Sequence, residues 1–348
     1  IQQKMIGDVL TSSLICENLK RNFPDAEVHY LINRFTLPVV KNNPFIDKFI
    51  IFEDEYRKSK PKFYQFLKQI SKSEYTHVFD AYAKIESILI SYFTKAPHKF
   101  SLEKYYTKYL NEKTIKFNNE SKTEAGTAIE NRLRLFKLLS HVKVFNNKPK
   151  IYLTEHEIGK AKQKMHDTKL ILKKIIMVSA LGSDSSKTYP LAYMAEILNS
   201  IVKITNAYLI FNYMPTQQTE IDKLVNYCDL ETQKHIVKDI EMKSLRDFMG
   251  LCSLCDAIVG NEGGAINIAK ALNIPSFSIF SPWIIKEGWN SFEVSYPNSS
   301  VHLSDYHENW FKNNTIKDLK HNSAQYYEQL KPELFKNKLE DFLRTHIK

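Results

Sequence analysis

The feature that most constrains the fold is a regular alternation of short apolar runs with longer segments of helical periodicity. The apolar runs are rich in β-branched and aromatic residues, which is typical of strands in parallel sheets. The predicted strands lie at residues 28–32, 49–52, 77–79, 175–179, 207–211, 257–260 and 276–280. The predicted helices lie at residues 11–23, 62–71, 84–93, 125–140, 191–200, 244–252, 265–272 and 333–345. The pattern predicts an α/β protein.

The alternation lapses between about Ser101 and Lys173, where polar and Lys-rich sequence surrounds one helical pattern. A chain of 348 residues is long enough for two domains. We predict one doubly wound domain over residues 1–165, a second over residues 166–330, and a C-terminal helix over residues 331–348 that crosses back to the first domain. Two such domains are expected to face each other across a cleft and to bind ligands at the carboxyl ends of their strands.

The distribution of charge narrows the choice of partners. Residues 1–165 contain 29 Lys and Arg against 18 Asp and Glu, whereas residues 166–348 contain 20 against 21. A basic first half attracts nucleic acid, an anionic membrane face or a phosphorylated glycolipid, although a Lys-rich surface that only favours solubility has the same excess. No apolar run is long enough to predict a membrane span.

The four cysteines are too few for a disulfide framework and suit a reducing compartment, so we expect a cytoplasmic protein. Cys252 and Cys255 form a C-x-x-C pair, but no second pair or nearby His completes a zinc site, and we interpret them as core thiols. Ile1 resembles the end of a first strand, so a few further residues are expected upstream.

Three strand-to-helix turns could carry chemistry. In the first, Gly7 permits a tight turn and Asp8 stands at the start of the next helix. An Asp at this position is most simply an N-cap that accepts backbone N–H bonds. A catalytic carboxylate is the alternative.

The second turn, residues 182–190, follows the strand at 175–179. Its hydroxyls, the free N–H groups of a helix start and Lys187 form a site suited to phosphate. The Walker A spacing is absent. An ordinary solvated loop with a Ser or Thr cap fits the residues equally well.

The third turn contains three of the chain's nine glycines within residues 260–264. Adjacent glycines at a helix start let a pyrophosphate contact the backbone amides. The spacing is not G-x-G-x-x-G, so no dinucleotide fingerprint is predicted. A purely structural turn remains open, but two anion-competent helix starts in the same half favour a phosphate ligand.

Taken in order, these segments resemble glycosyltransferase family 9, the heptosyltransferases of the lipopolysaccharide inner core. The matching segments are IGDVL at 6–10, FPDA at 23–26, VHYL at 28–31, NPFID at 43–47, YTHVFD at 75–80, SKTYP at 186–190, DAIVGNEGG at 256–264 and AKAL at 269–272. The resemblance covers nearly the whole chain, and its specificity lies in the order and spacing of the segments.

The resemblance implies a GT-B fold, in which two Rossmann-like domains face a central cleft. It implies inverting transfer of heptose or a related sugar from a nucleotide diphosphate donor, ADP-heptose, to a lipopolysaccharide core or similar anionic glycolipid, with no required cofactor or metal. Asp8 matches the general base and Lys187 the ligand of the donor phosphates. The implied donor-binding residues are Ser185, Ser186, Glu262, Gly263, Gly264 and Asn267, and the implied acceptor-binding residues are Lys4 and Thr11.

The sequence departs from the family pattern in the donor loop. Glu262 stands where the family has Asp, Gly263 where it has Thr or Ser, and Asn267 where it has His. All three differences touch the pocket for the sugar nucleotide.

The resemblance also implies a place for the protein at the cytoplasmic face of the inner membrane, with the basic first domain drawn to the membrane surface. No nucleic acid partner is expected. The alternatives are a GT-B sugar-nucleotide epimerase and a non-catalytic binder of an anionic glycolipid or nucleic acid.

Overall fold

The chain divides into two units, Ile1–Tyr152 and Leu153–Lys348. The structure is a computed structural model that describes residues 1–107, 109–307 and 314–347.

The first unit is built from parallel strands and the helices that connect them. Its strands are β1 (His29–Asn33), β2 (Lys48–Phe52), β3 (His77–Asp80), β4 (His98–Leu102) and β5 (Lys113–Ile115). Its helices are α1 (Ile6–Asn22), α2 (Leu37–Val40), α3 (Asp54–Lys58), α4 (Lys60–Ile70), α5 (Ile85–Phe93) and α6 (Thr127–Phe136). In the described residues the strands pair as β1-β2 and β3-β4-β5. Helix α1 is buried from Gly7 to Asn18 and packs against α6.

The second unit contains one parallel sheet. Its strands are β6 (Ile175–Ser179), β7 (Tyr208–Phe211), β8 (Ala257–Asn261), β9 (Ser276–Ile279) and β10 (Asn298–Val301). Its helices are α7 (Glu155–Asp167), α8 (Leu191–Thr205), α9 (Gln218–Tyr227), α10 (Leu230–His235), α11 (Leu245–Cys252), α12 (Gly264–Ala271), α13 (Lys286–Trp289), α14 (Ile316–His321), α15 (Ser323–Tyr327) and α16 (Pro332–His346). The strand order within the described residues is β7-β6-β8-β9-β10. This is a doubly wound order whose switch point lies between β6 and β8, where such sheets bind ligands.

The boundary between the units lies before α7, not after residue 165 as the sequence predicted. Helix α7 packs on α11 through its buried Ala161 and Met165. Gly250 of α11 makes the close approach possible, because a Cβ there would lie 3.1 Å from the Glu157 carbonyl oxygen. The loss of alternation between about Ser101 and Lys173 includes the boundary but did not show which unit α7 joins.

The C-terminal helix α16 packs against α8 in the second unit. Its Phe335, Leu339 and Leu343 are buried in the same core as Ile201 of α8. The helix therefore contributes to the core of the second unit. Its return to the first unit stays a prediction, and Lys348 lies outside the described residues.

All four cysteines are free and buried, as the core-thiol interpretation predicted for Cys252 and Cys255. Burial raises the pKa of Cys252 to about 12. Within the described ranges, no group of three or more His, Cys, Asp or Glu side chains is arranged to hold a metal ion. In the same part of the chain, each helix is too short or too polar to cross a bilayer.

Replacing Gly260 with Ala should destabilise the second unit. Gly260 has φ 138°, and a Cβ there would clash with the Ser179 carbonyl oxygen of the adjacent strand. We expect Gly260→Ala to lower the free energy of unfolding by at least about 2 kcal/mol, measured by urea denaturation. The control is Gly159→Ala in α7, where a Cβ meets nothing within 4 Å and helix propensity favours Ala. Equal stability of the two variants would contradict the prediction.

Candidate active site

The Asp8 carboxylate lies in the first turn of α1 and is buried. The N-cap of this helix is Met5, so the interpretation of Asp8 as an N-cap is wrong. Its Oδ1 accepts a hydrogen bond from Arg132 Nη2 at 2.8 Å and another from Lys4 Nζ at 3.3 Å. The carboxylate is therefore held by two cations rather than by backbone amides.

Arg132 reaches Asp8 from α6 and is itself fixed. Its Nη1 donates to the Ala128 carbonyl oxygen at 2.9 Å, and its Nε donates to Ser12 Oγ at 3.3 Å. An isolated charge at this depth is costly, and the partner compensates that cost. The buried ion pair thus fixes the position of the carboxylate.

The sequence analysis missed Arg132, although a signal was available. Arg132 follows Ala128 by four residues and Ile129 by three, so all three lie on one helical face. Ala128 and Ile129 are buried apolar residues. An Arg on such a face requires a buried acid as partner.

The two oxygens of Asp8 differ in their surroundings. Oδ1 accepts both bonds from the cations, whereas no described residue donates a hydrogen bond to Oδ2. A carboxylate that is oriented through one oxygen can take a proton on the other. The arrangement therefore leaves Oδ2 available to accept a proton.

The two predicted acceptor-binding residues lie beside Asp8. Lys4 has a side chain that is 56% exposed and forms an ion pair with Asp8. Thr11 is buried, and its hydroxyl donates to the Asp8 carbonyl oxygen at 3.1 Å. Contact of either residue with an acceptor stays a prediction.

In the second unit, the loop after β6 is tightly folded. Asp184 accepts bonds from Ser186 N at 3.0 Å and Ser186 Oγ at 2.5 Å, which cap the short 3-10 turn Ser185–Lys187. These bonds, together with the charge of Lys187, lower the pKa of Asp184. Gly182 is required here because a Cβ would clash with the Lys187 carbonyl oxygen. The loop is therefore a compact turn that is capped by Asp184 rather than by Ser or Thr, and its residues Ser183, Asp184 and Ser185 are exposed to solvent.

Asn261, at the end of β8, joins this loop to the sheet. Its side-chain oxygen accepts from Tyr189 N at 2.8 Å, and its side-chain nitrogen donates to the carbonyl oxygens of Ser179 and Ala180 at 3.1 and 2.7 Å. The side chain is buried. It ties together the ends of the two strands that flank the switch point.

Trp283 is a further site residue that the sequence analysis did not single out. Its Nε1 donates to the Ser186 carbonyl oxygen at 3.1 Å, and Ser281 Oγ donates to the same oxygen at 2.6 Å. The Nζ atoms of Lys187 and Lys320 lie 5.2 and 5.0 Å from the centroid of the indole ring, which is the range of cation–π contacts. Trp283 follows the carboxyl end of β9 closely, and this position in the sequence could have marked it as a site residue. No sequence pattern marked Lys320.

The third turn leads into α12. Gly263 is the N-cap, Gly264 is the first helical residue, and a Cβ on Gly263 would meet nothing within 4 Å. The Asn267 side chain donates to the Gly263 carbonyl oxygen at 2.9 Å. The backbone of this turn therefore borders open space, where a ligand can approach it.

A buried lysine lies behind this turn. Lys270 and Glu262 are both buried. Burial lowers the pKa of Lys270 to about 8, and the negative charges of Glu293 and Glu262 oppose that shift. Lys270 thus has a favourable electrostatic interaction with both glutamates.

Strand order, parallel pairing and polar loops at the switch point define a doubly wound, Rossmann-like α/β architecture in the second unit. The same fold occurs in the crystal structure of a glycosyl transferase family 9 protein from Veillonella parvula, with a TM-score of 0.77 at 13% identity over 99% of this chain and 96% of that one. It also occurs in E. coli heptosyltransferase WaaC with ADP, with a TM-score of 0.69 at 12% identity over 98% of each chain. The protein has the GT-B fold of two Rossmann-like domains.

Sequence comparison gives the family. Lipopolysaccharide heptosyltransferase 1 of Campylobacter coli is 25% identical over 290 residues, which cover 80% of this chain and 82% of that protein. The profile of "Glycosyltransferase family 9 (heptosyltransferase)" matches residues 63–307. The chain belongs to this family, and it is a glycosyltransferase.

The burial of Lys270 predicts a pH dependence of stability. The folded state loses the Lys270 proton near pH 8, whereas an unfolded chain holds it to about pH 10.5. Because the unfolded state binds more protons between these values, the free energy of unfolding should rise with pH there, by up to about 3 kcal/mol. Denaturation of wild type and Lys270→Met at pH 7.5, 8.5 and 9.5 checks this.

The free energy of unfolding of Lys270→Met should lack the part of the pH dependence that comes from Lys270. The difference in free energy of unfolding between this variant and wild type should therefore change with pH. Lys203→Met, at an exposed position of α8, is the control and should follow wild type. A constant difference between Lys270→Met and wild type across the three pH values would show that Lys270 does not titrate in this range.

Proposed function

We propose that this protein transfers a heptose or related sugar, with inversion, from ADP-heptose or a similar nucleotide diphosphate donor to a lipopolysaccharide-type anionic glycolipid. The observation that carries the proposal is the Asp8 carboxylate, oriented by Arg132 and Lys4 through one oxygen. The similarity to lipopolysaccharide heptosyltransferase 1 of Campylobacter coli supports the choice of substrates.

The proposed reaction is a single displacement. Asp8 Oδ2 takes the proton of the acceptor hydroxyl while the hydroxyl oxygen attacks the anomeric carbon of the donor sugar. The bond between this carbon and the diphosphate oxygen breaks, and its electron pair leaves with the nucleoside diphosphate. Attack opposite to the leaving group inverts the anomeric centre. Arg132 acts as a positioning residue, because its guanidinium holds the carboxylate of the base.

The second unit would bind the donor diphosphate. Lys187 supplies a cation, Lys320 supplies another beside the same indole ring, and the turn at Gly263 and Gly264 offers backbone amides. The exposed hydroxyl of Ser185 is available as a donor, whereas Ser186 Oγ already donates to Asp184 and would have to exchange that bond.

The donor specificity would depend on Glu262 and Asn267. The favourable electrostatic interaction of Glu262 with the buried Lys270 would reduce the repulsion between this carboxylate and an anionic donor. Asn267 donates to the Gly263 carbonyl oxygen and thereby shapes the turn next to the sugar nucleotide.

The excess of positive charge in residues 1–165 fits an anionic acceptor that is carried by a membrane. We propose that the protein acts at the cytoplasmic face of the inner membrane as a peripheral protein, without a nucleic acid partner. It would need no cofactor beyond its nucleotide-sugar substrate.

Replacing Asp8 with Asn tests the base. We expect kcat to fall about 10²–10⁴-fold, because the amide cannot accept the hydroxyl proton, while the Kd for ADP stays unchanged. Initial rates of sugar transfer and calorimetric titration with ADP measure the two quantities. Asp25→Asn, at an exposed position of the same unit, is the control.

Full activity of Asp8→Asn would refute the assignment of Asp8. Conversion of the sugar nucleotide to an epimer by wild type, in the absence of any acceptor, would favour the epimerase instead. Salt-dependent DNA binding without affinity for nucleotides would favour a non-catalytic binder.

Removing the cations beside Trp283 tests the diphosphate site. We expect Lys187→Ala to weaken ADP binding roughly 10- to 100-fold, since a charge-assisted bond is lost. The exposed Lys320 should contribute less, and Lys320→Gln should weaken binding roughly two- to fivefold. Calorimetry with ADP and with AMP measures the affinities, and the losses should be smaller for AMP, which has one phosphate fewer.

Lys317→Gln is the matched control for Lys320, because Lys317 is exposed on the same helix. It should bind ADP as wild type does. ADP affinity that is unchanged in Lys187→Ala would contradict the phosphate role of this lysine.

A further inference from the structure

An unusual group of exposed aromatic residues lies on the turn between β4 and β5. Tyr105 and Tyr109 are 90% and 80% exposed, and Tyr106 and Leu110 are also exposed. Four large side chains with apolar surface are thus exposed within six consecutive residues. Side chains of this kind are usually part of a core, and a contiguous exposed set marks an interaction surface.

The turn that carries these side chains is well hydrogen-bonded. The buried Thr107 organises it, because its Oγ1 donates to the Leu102 carbonyl oxygen at 2.9 Å and accepts from Lys104 N at 2.6 Å. The Thr107 carbonyl oxygen accepts from Leu110 N at 3.2 Å and from Asn111 Nδ2 at 2.8 Å. The tyrosines are therefore exposed on a turn that has its own set of hydrogen bonds.

The turn is joined to the loop before α5, which extends the surface. Lys104 Nζ donates to the Ala83 carbonyl oxygen at 2.8 Å, and Tyr106 Oη donates to the same oxygen at 3.4 Å. Ala83 is followed by Lys84 and by Ile85, which is 69% exposed. Apolar and basic side chains thus alternate across the two segments.

The surface is positively charged. Burial, with the positive charges of Lys84 and Lys4, lowers the pKa of Lys104, so Lys84 and Lys4 both lie near enough to act on the Lys104 ammonium group. Residues 98–117 contain five Lys against two Glu, and one of the two, Glu112, is paired with His98 and Lys113. The buried Asp80 is the carboxylate whose charge acts on Lys104 in the opposite direction.

We propose that this surface, defined by Tyr105, Tyr109, Leu110, Ile85, Lys84 and Lys104, binds the interface of an anionic lipid bilayer. Tyrosine favours the headgroup level, where its ring meets apolar surface and its hydroxyl meets water. Lysines among such rings are attracted to anionic headgroups. A basic surface with highly exposed tyrosines suits the interface of an anionic bilayer. This surface is the part of the protein that would contact the membrane. The proposal rests on the proposed function in one respect, which is that the acceptor is carried by a lipid.

Sedimentation of the whole protein with lipid vesicles tests the proposal. Wild type should bind vesicles of phosphatidylglycerol and phosphatidylethanolamine, bind phosphatidylcholine vesicles at least tenfold more weakly, and be released by high salt. The double variant Tyr105→Ser/Tyr109→Ser should partition roughly tenfold more weakly onto the anionic vesicles. The control is Tyr64→Ser/Tyr227→Ser, which removes two other exposed tyrosines and should bind as wild type does.

Unchanged melting temperature and ADP affinity would show that the double variant is folded. The proposal is overturned if wild type does not bind the anionic vesicles, if it binds both kinds equally, or if the double variant binds as wild type does. Sugar transfer to a lipid-free acceptor separates the two proposals. If wild type transfers sugar to this acceptor but does not bind the anionic vesicles, only the membrane surface is overturned. If wild type binds the vesicles but transfers no sugar, only the proposed reaction is overturned.

Discussion

The side chain of Asn261 is the interaction on which the second unit's loops depend. It is buried, and its amide forms one hydrogen bond as acceptor and two as donor, all to the backbone of the segment from Ser179 to Tyr189. A buried amide that is satisfied in this way fixes one loop conformation, because any other would leave polar groups unpaired. The position of Lys187, and of the carbonyl oxygen that Trp283 and Ser281 bind, follows from this arrangement.

In the first unit the corresponding role belongs to a pair of charges 124 residues apart in the sequence. Arg132 and Asp8 are each costly when buried alone, so the packing of α6 on α1 and the ion pair require one another. The carboxylate is therefore positioned by the core of its unit, and not by a flexible loop. A reaction that needs a base at a defined place benefits from this rigidity.

The sequence predicted the elements whose patterns are strong. Strands such as β6 and β8 are buried along their whole length and appear as continuous apolar runs. The strands β4, β5 and β10 were missed, because HKFSL and NSSV contain mostly polar residues and KTI has only three residues. Helix α1 begins five residues before the predicted start at Thr11, since packing against α6 favours helix where local sequence favours a turn.

For the candidate site, too, the sequence predicted the residues that lie in strong local patterns and missed the others. Gly-rich and hydroxyl-rich turns after β6 and β8 were evident from local sequence and family resemblance, as was Asp8. Arg132, Trp283 and Lys320 come from other parts of the chain, and only tertiary packing brings the first to Asp8 and the other two to the loop of Lys187. Local sequence patterns predict where the turns lie. The cations next to these turns come from distant parts of the sequence, and only the tertiary contacts determine their positions.

The burial of the cysteines has a practical consequence. A thiol with a pKa near 12 is almost entirely protonated at neutral pH and shielded from reagents, so it reacts only when its surroundings open. Cys16 lies in the first unit, whereas Cys228, Cys252 and Cys255 lie in the second. Each unit thus contains at least one cysteine that becomes reactive only when that unit opens. The rates of alkylation, measured by peptide mass, would therefore show which unit unfolds first.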